Sequence, residues 1–145
     1  MLLDELYSQV IRDQSQSRHN RRRLSNATVI RPGKNPTCGD EISLELQVEG
    51  GILLDGAFTG VGCAISQASV SIMLDLVREK SLQEARALAG LFLSMARRET
   101  LSPEELTRLE EAAALANVSN MPARVKCATM PWHTLLAALD DAVQA

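Results

Sequence analysis

The sequence predicts an α+β fold in which helices pack against one face of a small antiparallel sheet of about three strands. Apolar and polar residues alternate between residues 42 and 48 and a second strand-like segment follows at 52–59, which indicates a sheet. Apolar residues recur at helical spacing along much of the remaining chain. Hydrophobic residues make up 46% of the 145 residues and aromatic residues only 3%, so we expect one domain, residues 1–145, with an aliphatic core.

The first predicted element is an amphipathic helix over residues 3–13. Its apolar side chains recur three and four positions apart; they are Leu3, Leu6, Tyr7, Val10 and Ile11. Polar residues then end the pattern, and residues 14–37 are treated as a long connection for which the sequence indicates no definite local structure.

This connection is strongly basic although the whole chain carries a net charge of −3. Residues 14–39 contain no acidic residue and six basic ones, which are Arg18, Arg21, Arg22, Arg23, Arg31 and Lys34. The segment either steers an acidic protein partner toward the loop that carries Cys38 or is a solvated, partly mobile loop. No aromatic residue interleaves the basic run, so nucleic acid is not an expected partner.

A β-hairpin is predicted next. Apolar residues at 42, 44, 46 and 48 face one way and polar residues face the other, as in a half-buried strand. Glu49-Gly50-Gly51 supplies a turn, and residues 52–59 return as the second strand. The ends of these strands are expected near Cys38 and Cys63.

The hydrophobic period returns to 3.6 residues after Cys63, with apolar residues at 65, 68, 72 and 76. Cys63 is therefore expected at or just before the N-terminus of a helix. The positive end of the helix dipole favours the thiolate form of a cysteine in that position.

Three further helices are predicted in the C-terminal half. Ser81 and Ser102 each precede an acidic residue by three positions, which is the capping-box pattern, so helices are expected near 82–97 and 103–116. A final helix, capped by Thr129, is expected to close the domain.

The three cysteines are the candidate functional residues. Asn35-Pro36-Thr37-Cys38-Gly39-Asp40 places a thiol and a carboxylate two residues apart on a bent loop, and two more thiolates would complete a tetrahedral zinc site. Cys63 lies in Gly60-Val61-Gly62-Cys63, where the glycines permit close backbone approach, and Cys127 lies in Arg124-Val125-Lys126-Cys127. Each cysteine alone could instead be a small buried hydrophobe, and Asp40 alone could simply begin a strand.

The remaining sequence features argue for a cytoplasmic metal-binding or reactive role. The first residues show neither a signal peptide nor a membrane span, and three cysteines cannot all pair, so disulfides are not favoured. The sequence has no Cys-x-x-Cys redox pair, no Gly-Lys-Ser/Thr phosphate-binding motif and no Gly-x-Ser-x-Gly nucleophile turn.

Three segments of the chain resemble the three motifs of iron-sulfur cluster assembly proteins related to NifU and IscU. They are Asn35–Asp40, Gly60-Val61-Gly62-Cys63-Ala64-Ile65-Ser66 and Pro122-Ala123-Arg124-Val125-Lys126-Cys127-Ala128, in the order and spacing of that family. The resemblance covers roughly residues 5–140 and is closest to the SufU branch. Lys126 stands where IscU-type relatives have a histidine, and the helical segment at about 99–120 looks longer than in those relatives.

This resemblance implies a zinc-dependent sulfurtransferase. It assigns Zn²⁺ to Cys38, Asp40, Cys63 and Cys127, and it makes Cys38 the acceptor of persulfide sulfur from a SufS-type, pyridoxal-phosphate-dependent cysteine desulfurase. Downstream iron-sulfur assembly proteins would receive the sulfur. Arg124 is a candidate for stabilising negative sulfur or for pairing with Asp40.

Two other functions stay open at this point. The same four residues could hold a nascent iron-sulfur cluster, since such clusters also favour cysteine thiolates. The chain could also be a noncatalytic binding module that zinc stabilises.

Overall fold

The structure, a computed structural model, describes the backbone of residues 3–144 and the side chains of residues 7–143. It confirms the α+β class: three antiparallel strands in the order β1-β2-β3, with helices around them. The strands are β1 (Val29–Asn35), β2 (Asp40–Glu49) and β3 (Ile52–Val61). The helices are α1 (Leu3–Gln16), α2 (Ala64–Val77), α3 (Leu82–Ala96), α4 (Pro103–Arg108) and α5 (Pro122–Gln144), with a 3₁₀ segment at Glu110–Asn120.

Strand β1 lies inside the long connection at 14–37, where the sequence indicated no definite element. The sequence pattern did not indicate this strand, because it contains Pro32 and Gly33 and both residue types are depleted in strand interiors. Proline is tolerated here because β1 is an edge strand that pairs only with β2. The pairing places Asn35 opposite Asp40, which fixes the two ends of the cysteine-bearing loop.

The basic segment before β1 is pinned to the sheet by its arginines. The Arg21 guanidinium lies 5.0 Å from the centre of the Phe58 ring and donates a hydrogen bond to the carbonyl oxygen of Gly60 at 2.7 Å. Arg22 forms an ion pair with Asp55 at 3.0 Å. These contacts attach the basic segment to the sheet. Because the guanidinium groups of Arg21 and Arg22 are used in contacts within the chain, the segment offers less positive charge to a partner protein.

Helix α2 is the centre of the core. Nearly every residue along it is buried, which explains its apolar character on all sides. It packs against α1, α5 and β3. Because Cys63 immediately precedes this helix, the core itself fixes the position of the second cysteine motif.

The C-terminal helices differ from the prediction in two places. The helix expected at 103–116 ends at Arg108 and continues as the 3₁₀ segment. The last helix begins at Pro122 rather than after Thr129, since proline suits the first position of a helix, where its missing N–H is not needed. Cys127 consequently lies on a helix and not in a loop. Within residues 3–144, no helix is both long and apolar enough to cross a membrane.

Replacing Gly60 with alanine is expected to destabilise the fold by about 2–3 kcal/mol. Gly60 has φ of +129°, and an added Cβ would lie 2.1 Å from the backbone oxygen of Glu41 on the neighbouring strand. Urea unfolding of the metal-free protein measures the change.

Gly90→Ala is the matched control. Gly90 lies on α3 with nothing within 4 Å of an added Cβ, so alanine should stabilise the protein by about 0.5–1 kcal/mol. Equal effects of the two substitutions would show that the contact between Gly60 and β2 is not tight.

Candidate metal centre

Three of the four predicted ligands converge in the structure. One possible ligand atom from each of Cys38, Asp40 and Cys127 lies within 4.8 Å of the other two. The sulfur atoms of Cys38 and Cys127 are 2.8 Å apart, although the residues are 89 positions apart in sequence. The loop after β1, the first residue of β2 and the second turn of α5 therefore meet at one point.

The loop that carries Cys38 is a short connection between two paired residues. The Cys38 N–H donates to the carbonyl oxygen of Asn35 at 3.2 Å, and Gly39 adopts φ of +70°, a conformation that glycine reaches without strain. This turn leaves Cys38 partly exposed, with its sulfur 3.9 Å from the carbonyl oxygen of Ala123 on α5. Cys38 is thus a sulfur that a partner protein can reach; Cys63 is also partly exposed, whereas Cys127 is buried.

Asp40 is 2% exposed, and its carboxylate is fixed by three donors. One oxygen, Oδ1, accepts hydrogen bonds from the Cys63 N–H at 2.9 Å and from the Ser66 hydroxyl at 3.1 Å. The other oxygen, Oδ2, accepts from the Asn35 side-chain amide at 3.3 Å. Such bonds orient a carboxylate toward a metal and are typical of the groups behind metal ligands.

Gly62 permits this arrangement. A Cβ at Gly62 would lie 2.7 Å from Asp40 Oδ1 and 2.4 Å from the Ser66 hydroxyl, so any side chain there would displace the carboxylate. The prediction that the glycines of this motif allow close backbone approach is confirmed at this position.

Cys63 lies directly before α2, as predicted from the change in hydrophobic period. Its sulfur accepts a hydrogen bond from the Ser66 N–H at 3.5 Å and so caps the helix. Cys63 falls outside the three-residue group whose ligand atoms are all mutually close. Its role as a fourth ligand therefore stays a prediction.

Cys127 is fully buried, and its surroundings favour the protonated thiol. Burial raises the pKa of Cys127 most, and the neighbouring thiols of Cys38 and Cys63 and the carboxylate of Asp40 raise it further. A bound cation would relieve both the desolvation and the mutual repulsion of these groups. Two thiols and an oriented carboxylate fit a zinc ion, and they also fit iron.

The cationic residues around Cys127 project outward. Arg124 and Lys126 are exposed, and neither forms a hydrogen bond or an ion pair with another described side chain. The ion pair between Arg124 and Asp40, which the sequence suggested as one possibility, is not formed; the carboxylate accepts hydrogen bonds from Asn35, Cys63 and Ser66. Arg124 remains available to a negative group that approaches Cys38.

Sequence reasoning missed the residues that support the ligands. Asn35 had no predicted role of its own, yet it is 5% exposed and its side-chain amide lies 3.6 Å from the Cys127 sulfur. Ser66 carried a usable signal, since it stands three residues after Cys63, at the spacing of a helix cap.

Comparison with known families agrees with this geometry. The family described as NifU-like N terminal domain matches residues 6–142. The chain belongs to this family. The relatives of this chain include both IscU and SufU proteins.

Two curated relatives and one solved structure show the extent of the similarity. The iron-sulfur cluster assembly scaffold protein IscU of Thermotoga maritima is 40% identical over 139 residues, which is 96% of each chain. The zinc-dependent sulfurtransferase SufU of Bacillus subtilis is 38% identical over 133 residues, covering 92% of this chain and 88% of the relative. The crystal structure of FiSufU from the thermophile Fervidobacterium islandicum AW-1 superimposes with a TM-score of 0.87 at 35% identity, covering 93% of this chain and 97% of the other.

These identities place the chain in the family but do not separate its branches. The IscU and SufU relatives differ by only two percentage points of identity to this chain. The assignment to the SufU branch that Lys126 suggested therefore stays a proposal.

Replacing Asn35 with alanine is expected to weaken zinc binding about 10- to 100-fold. The substitution removes one amide that contacts two candidate ligands, Asp40 and Cys127. Competition with a chromophoric chelator measures the affinity.

Asn26→Ala is the matched control, because Asn26 is an exposed turn residue remote in sequence from the cysteines. Zinc affinity that is unchanged in Asn35→Ala would show that the amide does not orient the ligands.

Proposed function

We propose that this protein is a zinc-dependent sulfurtransferase that accepts persulfide sulfur on Cys38 and relays it for iron-sulfur cluster assembly. One observation carries the proposal: Cys38 is the partly exposed sulfur of a centre whose other two close members, Asp40 and Cys127, are buried. A purely structural zinc site has no need of a reachable ligand, whereas a sulfur carrier does.

The donors of the centre are proposed to be Cys38, Asp40, Cys63 and Cys127. Zinc bound by them would favour the thiolate form of its cysteine ligands at neutral pH. The four groups carry a formal charge of −4 when they are deprotonated, so the ion leaves about −2 at the site. The exposed guanidinium of Arg124 offsets part of this charge for an incoming anionic sulfur.

The transfer itself is a thiol–disulfide type exchange. The Cys38 thiolate attacks the outer sulfur of the persulfide on the desulfurase cysteine. A new sulfur–sulfur bond forms on Cys38, the old sulfur–sulfur bond breaks, and the desulfurase cysteine leaves as a thiolate. No electrons are gained or lost overall, so no further oxidant is required. The partner is a pyridoxal-phosphate-dependent cysteine desulfurase of the SufS type.

The second candidate is a scaffold that holds a nascent iron-sulfur cluster. The donor set favours it equally, and the Thermotoga relative is named as such a scaffold. A reconstituted cluster that passes intact to an apo acceptor supports this function. Tight one-to-one zinc without cluster absorbance supports sulfur relay.

The deciding experiment follows radiolabelled sulfur. The zinc-loaded protein is incubated with a cysteine desulfurase and labelled cysteine, and the protein is then separated without reductant. Sulfur relay predicts label on this chain and faster desulfurase turnover. An unlabelled protein with unchanged desulfurase turnover would reject the proposal and leave the noncatalytic zinc-stabilised module.

A further inference from the structure

Three buried side-chain atoms have no hydrogen-bond partner among the described residues: the Tyr7 hydroxyl and both Nε2 and Oε1 of Gln67. A buried polar group without a partner costs about 1–3 kcal/mol, so native proteins retain few of them. Both residues lie near Cys63: Gln67 is one helical turn after it, and Tyr7 lines a cleft with Ala64 and Ile65, which follow it. This coincidence indicates that the two groups serve a ligand of the metal centre.

Gln67 lies one helical turn after Cys63 and is 6% exposed. Side chains on a helix lean toward its N-terminus, which directs this amide back toward the centre. The point that a Cβ on Gly62 would occupy is 3.1 Å from Gln67 Nε2 and 2.7 Å from Asp40 Oδ1. The amide is therefore next to the carboxylate, yet the carboxylate takes its hydrogen bonds from other donors.

Tyr7 approaches the centre from α1. Its side chain lines an open cleft of about 400 Å³ together with Ala64 and Ile65, the first residues of α2. Burial raises the pKa of the Tyr7 hydroxyl; the charge of Arg124 opposes this rise, and Cys63 and Cys127 add to it. The raised pKa keeps the Tyr7 hydroxyl protonated at neutral pH, so it can donate a hydrogen bond.

We propose that the Tyr7 hydroxyl and the Gln67 amide donate hydrogen bonds to the outer sulfur of the persulfide carried on Cys38. This inference rests on the proposed sulfur relay. The outer sulfur lies about 2.05 Å beyond the Cys38 sulfur and is an anion in need of donors. Asp40 takes its hydrogen bonds from Asn35, Cys63 and Ser66, so the Tyr7 hydroxyl and the Gln67 amide are not committed to it.

The proposal makes a prediction that a structural role does not share. If the groups lack partners until sulfur arrives, apolar replacements of similar shape should not destabilise the metal-free protein and can stabilise it. The same replacements should slow sulfur transfer. A gain in stability together with a loss of transfer is the signature of polar groups kept for a ligand.

The experiment compares Tyr7→Phe and Gln67→Met with the wild-type chain, and Gln9→Met, an exposed position on α1, serves as the control. We expect unchanged zinc content and an equal or higher melting temperature of the metal-free protein. Each variant should slow labelling of Cys38 about tenfold and shorten the lifetime of its persulfide, because a hydrogen bond to an anion is lost. Gln9→Met should match wild type in all four measurements.

The outcomes separate this inference from the proposed function. A wild-type chain that takes no label rejects the sulfur relay itself. A wild type that is labelled, with both variants labelled at the same rate and with the same persulfide lifetime, overturns the role of Tyr7 and Gln67 alone. Loss of zinc or a lowered melting temperature in the variants also overturns it, since the groups then support the metal or the fold.

Discussion

Cys38→Ser should abolish the transfer of labelled sulfur from a cysteine desulfurase to this protein. Cys38 is a partly exposed sulfur on a turn between two paired strand residues. A serine hydroxyl cannot form a persulfide, and at neutral pH it is a far weaker nucleophile than a thiolate. Mass spectrometry of the intact chain, without reductant, should show one added sulfur atom on wild type and none on the variant.

Cys63→Ser is the informative control, because it removes another proposed ligand and leaves the acceptor thiol in place. It should bind zinc more weakly and still show one added sulfur atom, at a reduced rate. The metal-free wild type provides the matching reference for this rate. Labelling of Cys38→Ser at the wild-type level would move the acceptor to Cys63 or Cys127 and would contradict the roles assigned to all three thiols.

Local patterns were sufficient to predict the elements around the second cysteine. The alternation at 42–48 and the turn at residues 49–51 identified the hairpin. The change of period after Cys63 located the start of α2 correctly. These features depend on neighbours close in sequence, and the family resemblance then related them to the distant Cys38 and Cys127.

The parts that the sequence did not reveal depend on contacts between remote segments. Strand β1 contains Pro32 and Gly33 and is stabilised by pairing with β2 and by packing on α5, where Gly33 leaves room for Thr134. The early start of α5 depended on whether Pro122 begins a helix or interrupts one, and local rules permit both. The position of Tyr7 beside the first residues of α2 follows only from how α1 packs on α2.

Trp132→Ala should destabilise the metal-free protein by about 3–5 kcal/mol, which is a large part of the stability of a typical domain. Trp132 is fully buried on α5, and its ring stacks on Phe92 of α3 with 4.1 Å between ring centres. Its indole N–H donates to the Ser69 hydroxyl at 2.9 Å. Urea unfolding measures the loss, and Val143→Ala at an exposed position of the same helix should change stability by less than about 0.5 kcal/mol.

The same substitution tests how the core supports the metal centre. The Ser69 hydroxyl, which accepts the hydrogen bond of Trp132, itself donates to the carbonyl oxygen of Ala128 at 2.6 Å, one residue after Cys127. Trp132→Phe retains an aromatic ring against Phe92 and removes the indole N–H. It should therefore lose less stability than Trp132→Ala, while both variants loosen the helical turn that positions Cys127 and bind zinc more weakly. Unchanged zinc affinity in Trp132→Phe would mean that the loop and β2 alone align the ligands, whereas a loss in both variants shows that the α2–α5 contact also sets the geometry of the site.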